Sequence, residues 1–284
     1  PHPPIFIIGA PRTGSTILYQ ALTNYYDVSY IDNLACLFHR NLFFGMKLSN
    51  KLYKNKPHNC FKSIHGDTWK TGGLHAPSEC GQFWYRWLPK DHHFIDYDEI
   101  TDDMVEDIRK NIFAILNYYN KPFVFKNMNA GLRLRLIHKI YPDSKFIWVR
   151  RDIEDTTTSI LKVRKKLYQD TSQWWSLMSP EYNDIKNLSP IEQVVKQIYF
   201  IEKQIHTDLS LFPKENVSVI YYGDFIKTPL SLIKTVELDT LKRTNAQLPQ
   251  IIDKKKDKGI EKNTREEIHH IISNLDWNDY SSKA

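Results

Sequence analysis

The stretch Pro4-Ile-Phe-Ile-Ile-Gly-Ala-Pro-Arg-Thr-Gly-Ser-Thr16 decides the fold. Ile5 to Ile8 is an unbroken apolar run, the pattern of a strand buried on both faces of a parallel sheet. Gly9 opens a tight turn, Pro11 stiffens it, and Gly14 lets the backbone approach a ligand closely. Thr13, Ser15 and Thr16 supply hydroxyls where Ile17-Leu-Tyr-Gln-Ala-Leu22 begins to read as a helix. Strand, glycine turn and helix start aim free N–H groups and the positive end of the helix dipole at one spot. That is an anion site.

Gly9 and Gly14 match the G-x-x-x-x-G spacing of a phosphate-binding P-loop, but Ser15-Thr16 stand where an NTPase has Lys-Ser/Thr. The cation lies inside the loop instead, as Arg12, whose planar fork suits a phosphate or sulfate oxygen pair. Pro-Arg-Thr-Gly-Ser-Thr-x-Leu after an N-terminal strand resembles the 5′-phosphosulfate loop of sulfotransferases that use 3′-phosphoadenosine 5′-phosphosulfate (PAPS). A second stretch, Phe146-Ile-Trp-Val-Arg-Arg-Asp-Ile-Glu-Asp155 followed by Ser159, resembles the 3′-phosphate-binding element of the same family.

The resemblance implies that Arg12, Thr13, Gly14, Ser15 and Thr16 hold the phosphosulfate and that Arg151 and Ser159 grip the 3′-phosphate. Arg150 is the rival for Arg151's role, and alternation along the strand sends the two to opposite sides. Two anion sites on one sheet suit a ligand with two separated phosphate groups, whereas a nucleoside triphosphate would leave the second idle. With no Walker lysine, and no Asp recognisable as a Mg²⁺ holder, no metal is expected.

The remaining elements fit a parallel α/β sheet. Pro122-Phe-Val-Phe-Lys126, Lys145 to Arg151 and Val217 to Tyr222 read as strands, and Val28 to Ile31 as a short one. Apolar spacing predicts helices over about Leu34–Tyr53 with Asn33 as cap, Thr101–Tyr119, Leu132–Tyr141, and Asp155–Lys166 with Asp152 as cap. It predicts others from Ser189 to about Leu211, from Pro229, and near Glu266–Leu275. Pro77-Ser78-Glu79 reads as the start of a Trp-rich helix, and residues 54–77 as an irregular loop suited to a lid. The run strand, helix, strand, helix over 122–166 makes a P-loop-like α/β fold with a central parallel sheet flanked by helices. One domain is expected over 1–284, with nucleotide elements at 4–31 and 122–166 and acceptor-side segments mainly at 32–121 and 170–260.

Lys126 ends a strand, where ligand sites form in open α/β sheets. The resemblance implies that it lies near the transferred sulfuryl group. Cytosolic members carry a His two residues later; this chain has Met128, which cannot take a proton. The base candidates are therefore Glu79, His75 and His65. Glu79 leads, because Pro77-Ser-Glu79 is similar to the segment that supplies an acidic base in bacterial members. Lys258-Gly259 is similar to the basic turn that closes over the 3′-phosphate, although the adjoining Lys254, Lys255 and Lys256 equally suit a solvated loop.

With 39 Lys and Arg against 33 Asp and Glu, the net charge of +6 suits a small anionic ligand as well as a polyanion. Cys36, Cys60 and Cys80 have no metal-ligand spacing and read as reduced thiols of a cytoplasmic enzyme. No apolar run is long enough to span a membrane. The expected activity is transfer of a sulfuryl group from PAPS to a hydroxyl or amine of a small-molecule acceptor, releasing adenosine 3′,5′-bisphosphate, without nucleic-acid or membrane partners. The alternatives are a P-loop-type kinase of a small metabolite and a non-catalytic polyanion binder.

Overall fold

The computed structural model describes residues 2–235, 241–248 and 262–277. The strands are β1 (Ile5–Ile8), β2 (Val124–Lys126), β3 (Lys145–Arg150) and β4 (Val217–Tyr221). Between β1 and β2 lie α1 (Ser15–Tyr25), α2 (Asn33–Leu37), α3 (Leu42–Tyr53), α4 (Trp69–Gly72), α5 (Gly81–Trp84) and α6 (Asp102–Tyr119). Then come α7 (Leu134–Ile140), α8 (Ile153–Tyr168), α9 (Tyr182–Ile185) and α10 (Pro190–Leu209). Three helices complete the described chain: α11 (Tyr222–Lys227), α12 (Pro229–Thr235) and α13 (Lys262–Ser273).

The strands form one parallel sheet in the order β2-β1-β3-β4. A parallel sheet must be covered on both faces, and the period of two along each strand divides its side chains between two cores. Phe6, Ile8, Phe125, Phe146 and Trp148 face one core, with Ile112 of α6, Ile137 of α7, Ile160 of α8 and Ile201 of α10. Ile5, Ile7, Val124, Ile147, Val149 and Ile220 face the other, against Leu18 and Leu22 of α1 and Phe225 of α11. The apolar spacing that predicts this helix is its buried face: Val105, Ile108, Ile112 and Ile115 of α6 are all buried.

Helix starts follow local chemistry. The side chains of Thr101, Asp152 and Ser189 each accept a backbone N–H at the first turn of α6, α8 and α10. Four local readings are corrected. The helix expected over 34–53 breaks into α2, a 3₁₀ turn at His39–Asn41, and α3, and Asp32 rather than Asn33 is the cap. The break lets Gly45 pack so tightly on α2 that a Cβ there would collide with the Ala35 carbonyl. Pro77 to Glu79 is not helical: Pro77 bridges Asp32, Cys80 adopts a left-handed conformation, and α5 begins only at Gly81. The segment 132–141 splits at Arg133 (φ −128°, ψ 21°) into a 3₁₀ turn and α7. Residues 28–31 contribute a single bridge, Ser29 to Phe123, instead of a strand.

Asp32 is almost fully buried, and its carboxylate accepts from the Ala35 N–H at 2.8 Å and from the Ser49 hydroxyl. Burial pushes its pKa from 3.8 up to about 6, against the opposing pull of those donors. A raised carboxyl pKa means that the native state binds the proton more tightly than the unfolded chain does. Its stability contribution is present in acid and is lost as pH rises from about 4 through 6. Asp32→Asn keeps an acceptor for Ala35 without the charge. Its stability relative to the parent, from urea midpoints, should rise between pH 4 and pH 7; a constant difference would show that Asp32 does not titrate in this window.

Candidate active site

The loop between β1 and α1 holds three positive φ angles, at Gly9 (148°), Arg12 (68°) and Gly14 (89°). Gly14 is needed twice over: its left-handed backbone caps α1, and a Cβ there would run into the ring of Tyr222. Thr13 turns its hydroxyl back onto the Ala10 carbonyl at 2.9 Å, tying the loop to itself. The buried Thr13 and Ser15 and the half-buried Thr16 lie at the start of α1, where the helix N–H groups are unsatisfied.

The second motif meets this loop in space. Arg12 Nε donates to Ser159 Oγ at 3.0 Å, and Arg151 Nη1 donates to the Arg12 carbonyl at 3.1 Å across 139 residues of sequence. Arg151 also lies over the Tyr222 ring, 4.7 Å from its centroid. Burial depresses the pKa of Arg12, and the neighbouring charge of Arg151 depresses it further. Arg151 Nε is buried without a hydrogen-bond partner. Two crowded guanidinium groups and an unmatched donor together fit an anionic group carrying several oxygens.

The Arg150/Arg151 alternative is decided by the pleat. Arg150 points to the opposite face, where its Nε donates to Glu202 Oε2 at 2.8 Å and its guanidinium stacks 4.6 Å from the Trp148 ring. Glu202 projects from α10 and also accepts the Ala10 N–H at 3.4 Å, so this buried pair braces the P-loop from below. Burial pushes the Glu202 pKa up, and the charge of Arg150 opposes the shift.

Next to the loop, Lys126 at the end of β2 is ion-paired with Glu79 and has 1% of its side chain exposed. The second carboxylate oxygen of Glu79 accepts the Met128 N–H at 3.0 Å, and Asn127 donates to the Glu79 carbonyl at 3.4 Å. A Cβ placed on Gly66 would sit 2.9 Å from Glu79 Oε1 and 3.8 Å from Thr16 Oγ1. The tip of the 54–77 loop thus covers the place where the carboxylate and the P-loop hydroxyl meet. His65, beside it, is held below the usual imidazole pKa by burial first and then by the charges of Arg12 and Lys166. Its Nε2 is buried with no hydrogen-bond partner.

A family model described as Sulfotransferase family matches residues 3–237. The chain belongs to the sulfotransferase family. The omega-hydroxy-beta-dihydromenaquinone-9 sulfotransferases Stf3 of Mycobacterium bovis and Mycobacterium tuberculosis are each 25% identical over 181 residues, 59% of this chain. The match covers 46% of those proteins, so the chain spans about half the length of the curated relatives it matches. The structure of sulfotransferase STF9 from Mycobacterium avium has the same fold, with a TM-score of 0.54 at 12% identity, over 99% of this chain and 70% of that one. The sulfotransferase domain of the Synechococcus PCC 7002 olefin synthase aligns over 83% of this chain and 72% of its own, with a TM-score of 0.45 and 14% identity.

Those residues singled out in the sequence that the structure describes fall into three groups. Arg12, Thr13, Gly14, Ser15, Thr16, Arg151 and Ser159 come together, and Glu79, Lys126 and His65 lie beside them. His75 lies elsewhere: its ring stacks on Tyr53 with centroids 3.9 Å apart, in a cavity lined by Tyr30, Asp32 and Ser49 that includes none of Arg12, Glu79 or Lys126. Lys258 and Gly259 lie outside the described residues.

The cysteines are a correction. Cys36 and Cys80 form a disulfide across 44 residues, and Cys60 is the free, buried one. The fold-back of α2 onto the segment preceding α5 creates this pairing, and sequence spacing carries no sign of it.

Sequence reasoning missed Tyr222 and Glu202. Tyr222 directly follows β4, and the strand-end rule that selected Lys126 would have found it. Glu202 was visible as an acid among the buried stripe Ile198, Ile201, Ile205 of α10.

Glu202→Ala takes the carboxylate from a buried guanidinium, so it should cost about 3–5 kcal/mol of stability in chemical denaturation. The double variant Arg150→Met/Glu202→Leu should recover more than half of that loss. A cost below about 1 kcal/mol for the single change would remove the pair from its bracing role.

Proposed function

We propose that this sulfotransferase moves a sulfuryl group from PAPS to a hydroxyl or amine of a small-molecule acceptor and releases adenosine 3′,5′-bisphosphate. The observation that carries this reading is the meeting of the two anion motifs at the carboxyl end of one sheet, through the Arg12–Ser159 and Arg151–Arg12 contacts, with the Glu79–Lys126 pair beside them. Sulfotransferase chemistry comes with the family; the donor, the acceptor class and the roles below are our reading.

PAPS, when bound, supplies the sulfuryl group and a bisphosphate leaving group. In this reading Arg12 and the N–H groups opening α1, with the hydroxyls of Ser15 and Thr16, neutralise charge on the phosphosulfate. Arg151 and Ser159 hold the 3′-phosphate, and Tyr222 forms a flat wall beside Arg151. Lys126 steadies charge on the oxygen that separates from the sulfuryl group, because it is fixed in place by burial and by Glu79. Glu79 accepts the proton of the acceptor, and the Met128 N–H and Lys126 hold its carboxylate in one orientation. Met128 thus serves through its backbone although its side chain cannot. His65 is the second base candidate, by its unmatched Nε2 and its closeness to Arg12. The Stf3 relatives are named for an acceptor with a hydroxyl group, one of the two functional groups proposed here.

Calorimetry should show adenosine 3′,5′-bisphosphate binding more tightly than ADP; equal or weaker binding overturns the donor assignment and favours a kinase. Arg151→Ala should weaken bisphosphate binding roughly ten- to a hundredfold while weakening adenosine 5′-phosphosulfate, which lacks the 3′-phosphate, far less. Equal losses would show that Arg151 does not read the 3′ position.

Glu79→Gln keeps the shape and the Met128 contact but removes the base. With PAPS and a panel of hydroxyl and amine acceptors it should lower kcat by roughly 10²–10⁴, leaving bisphosphate affinity nearly unchanged. Retained turnover in Glu79→Gln together with its loss in His65→Ala would move the base to His65.

A further inference from the structure

A cavity of about 600 Å³ opens between the 39–40 turn and the segment that follows Cys80. His39, Arg40, Gln82, Tyr85, Arg86 and Lys90 line it, so three cationic side chains face it and no acid does. Arg86 is the fixed member. Its guanidinium donates to the His39 carbonyl and the Asn111 side-chain oxygen, each at 3.3 Å, and stacks 4.2 Å from the Trp87 ring. Asp107, which is not part of the lining, is ion-paired with Arg86 at 4.0 Å and helps hold it in place. Arg40 and Lys90 are exposed, and neither is ion-paired with a carboxylate among the described residues.

A concave wall with one held guanidinium and two adjustable cations matches an oxyanion. The fork sets its orientation and the flexible charges close around it. The cavity is also tied to the proposed base. Gln82 is three residues from Glu79, a length of backbone that keeps their Cα atoms within about 11 Å. The Tyr85 hydroxyl accepts from Asn129 at 3.0 Å, the Asn129 N–H donates to the Asn127 side chain at 3.1 Å, and Asn127 donates to the Glu79 carbonyl.

We propose that this cavity binds an oxyanion, a carboxylate or a phosphate, carried by the acceptor, so that the enzyme sulfates acidic small molecules. The proposal rests on the acceptor side lying at Glu79, as read above. The acid group occupies the Arg40–Arg86–Lys90 cavity, and the reacting hydroxyl or amine extends toward Glu79. This separates the acceptor's charge from the nucleotide's, since Arg12 and Arg151 belong to neither wall of the cavity.

The test uses the full chain with excess adenosine 3′,5′-bisphosphate to fill the P-loop, and two fluorescent phenols that share one ring system. Pyranine carries three sulfonates; 1-hydroxypyrene carries none. Arg40→Ala/Lys90→Ala alters two exposed side chains, so folding is not at issue. The double variant should bind pyranine at least tenfold more weakly than the parent, with 1-hydroxypyrene affinity unchanged. Citrate or inorganic phosphate should displace pyranine from the parent, the stronger competitor naming the acid group. Equal pyranine affinity in parent and variant, or displacement by neither anion, overturns the proposal. Bisphosphate affinity is measured on the same samples: its absence would sink the donor reading while leaving the parent-against-variant comparison intact.

Discussion

Arg12 and Arg151 place two guanidinium groups against one another at the carboxyl end of the sheet, an arrangement that burial and mutual repulsion both oppose. The fold maintains it through backbone geometry. The left-handed turn at Arg12 and Gly14 presents the loop carbonyl to Arg151 and its side chain to Ser159, while Tyr222 lies flat against both the glycine and the second arginine. An anion placed between them would relieve the repulsion.

The support beneath that cluster is a second arginine with the opposite fate. Arg150 and Arg151 are adjacent in sequence, yet the pleat turns one into a buried ion pair with Glu202 and the other toward the loop. Glu202 reaches the Ala10 N–H as well, so α10 and β3 together restrain the first turn of the P-loop. One dipeptide thereby supplies both a contact to the loop and a buried brace beneath it.

The surroundings of Glu79 are organised by contacts between segments far apart in the chain. Glu79 is not helical because Pro77 bridges Asp32 and Cys80 is left-handed and bonded to Cys36. From this non-helical segment its carboxylate reaches Lys126 and the Met128 amide. The tip of the 54–77 loop then settles over it, bringing Gly66 and His65 to the same place.

The sequence by itself determined the parallel α/β fold, the P-loop, the cap at Asp152 and the separation of Arg150 from Arg151, because each follows from contacts or periodicities spanning a few residues. It marked Lys126 through the rule that ligands gather at strand ends and Arg151 through the family motif, and the strand-end rule, applied to β4, reaches Tyr222. Tertiary structure decided what local pattern does not encode. It put Glu202 under the loop, joined Cys36 to Cys80 across 44 residues, broke the 34–53 helix so that Gly45 packs on α2, and carried His75 to a separate cavity beside Tyr53. Each of these depends on which helices share a face of the sheet, and a side chain's partner across such an interface is set by packing rather than by its neighbours in sequence.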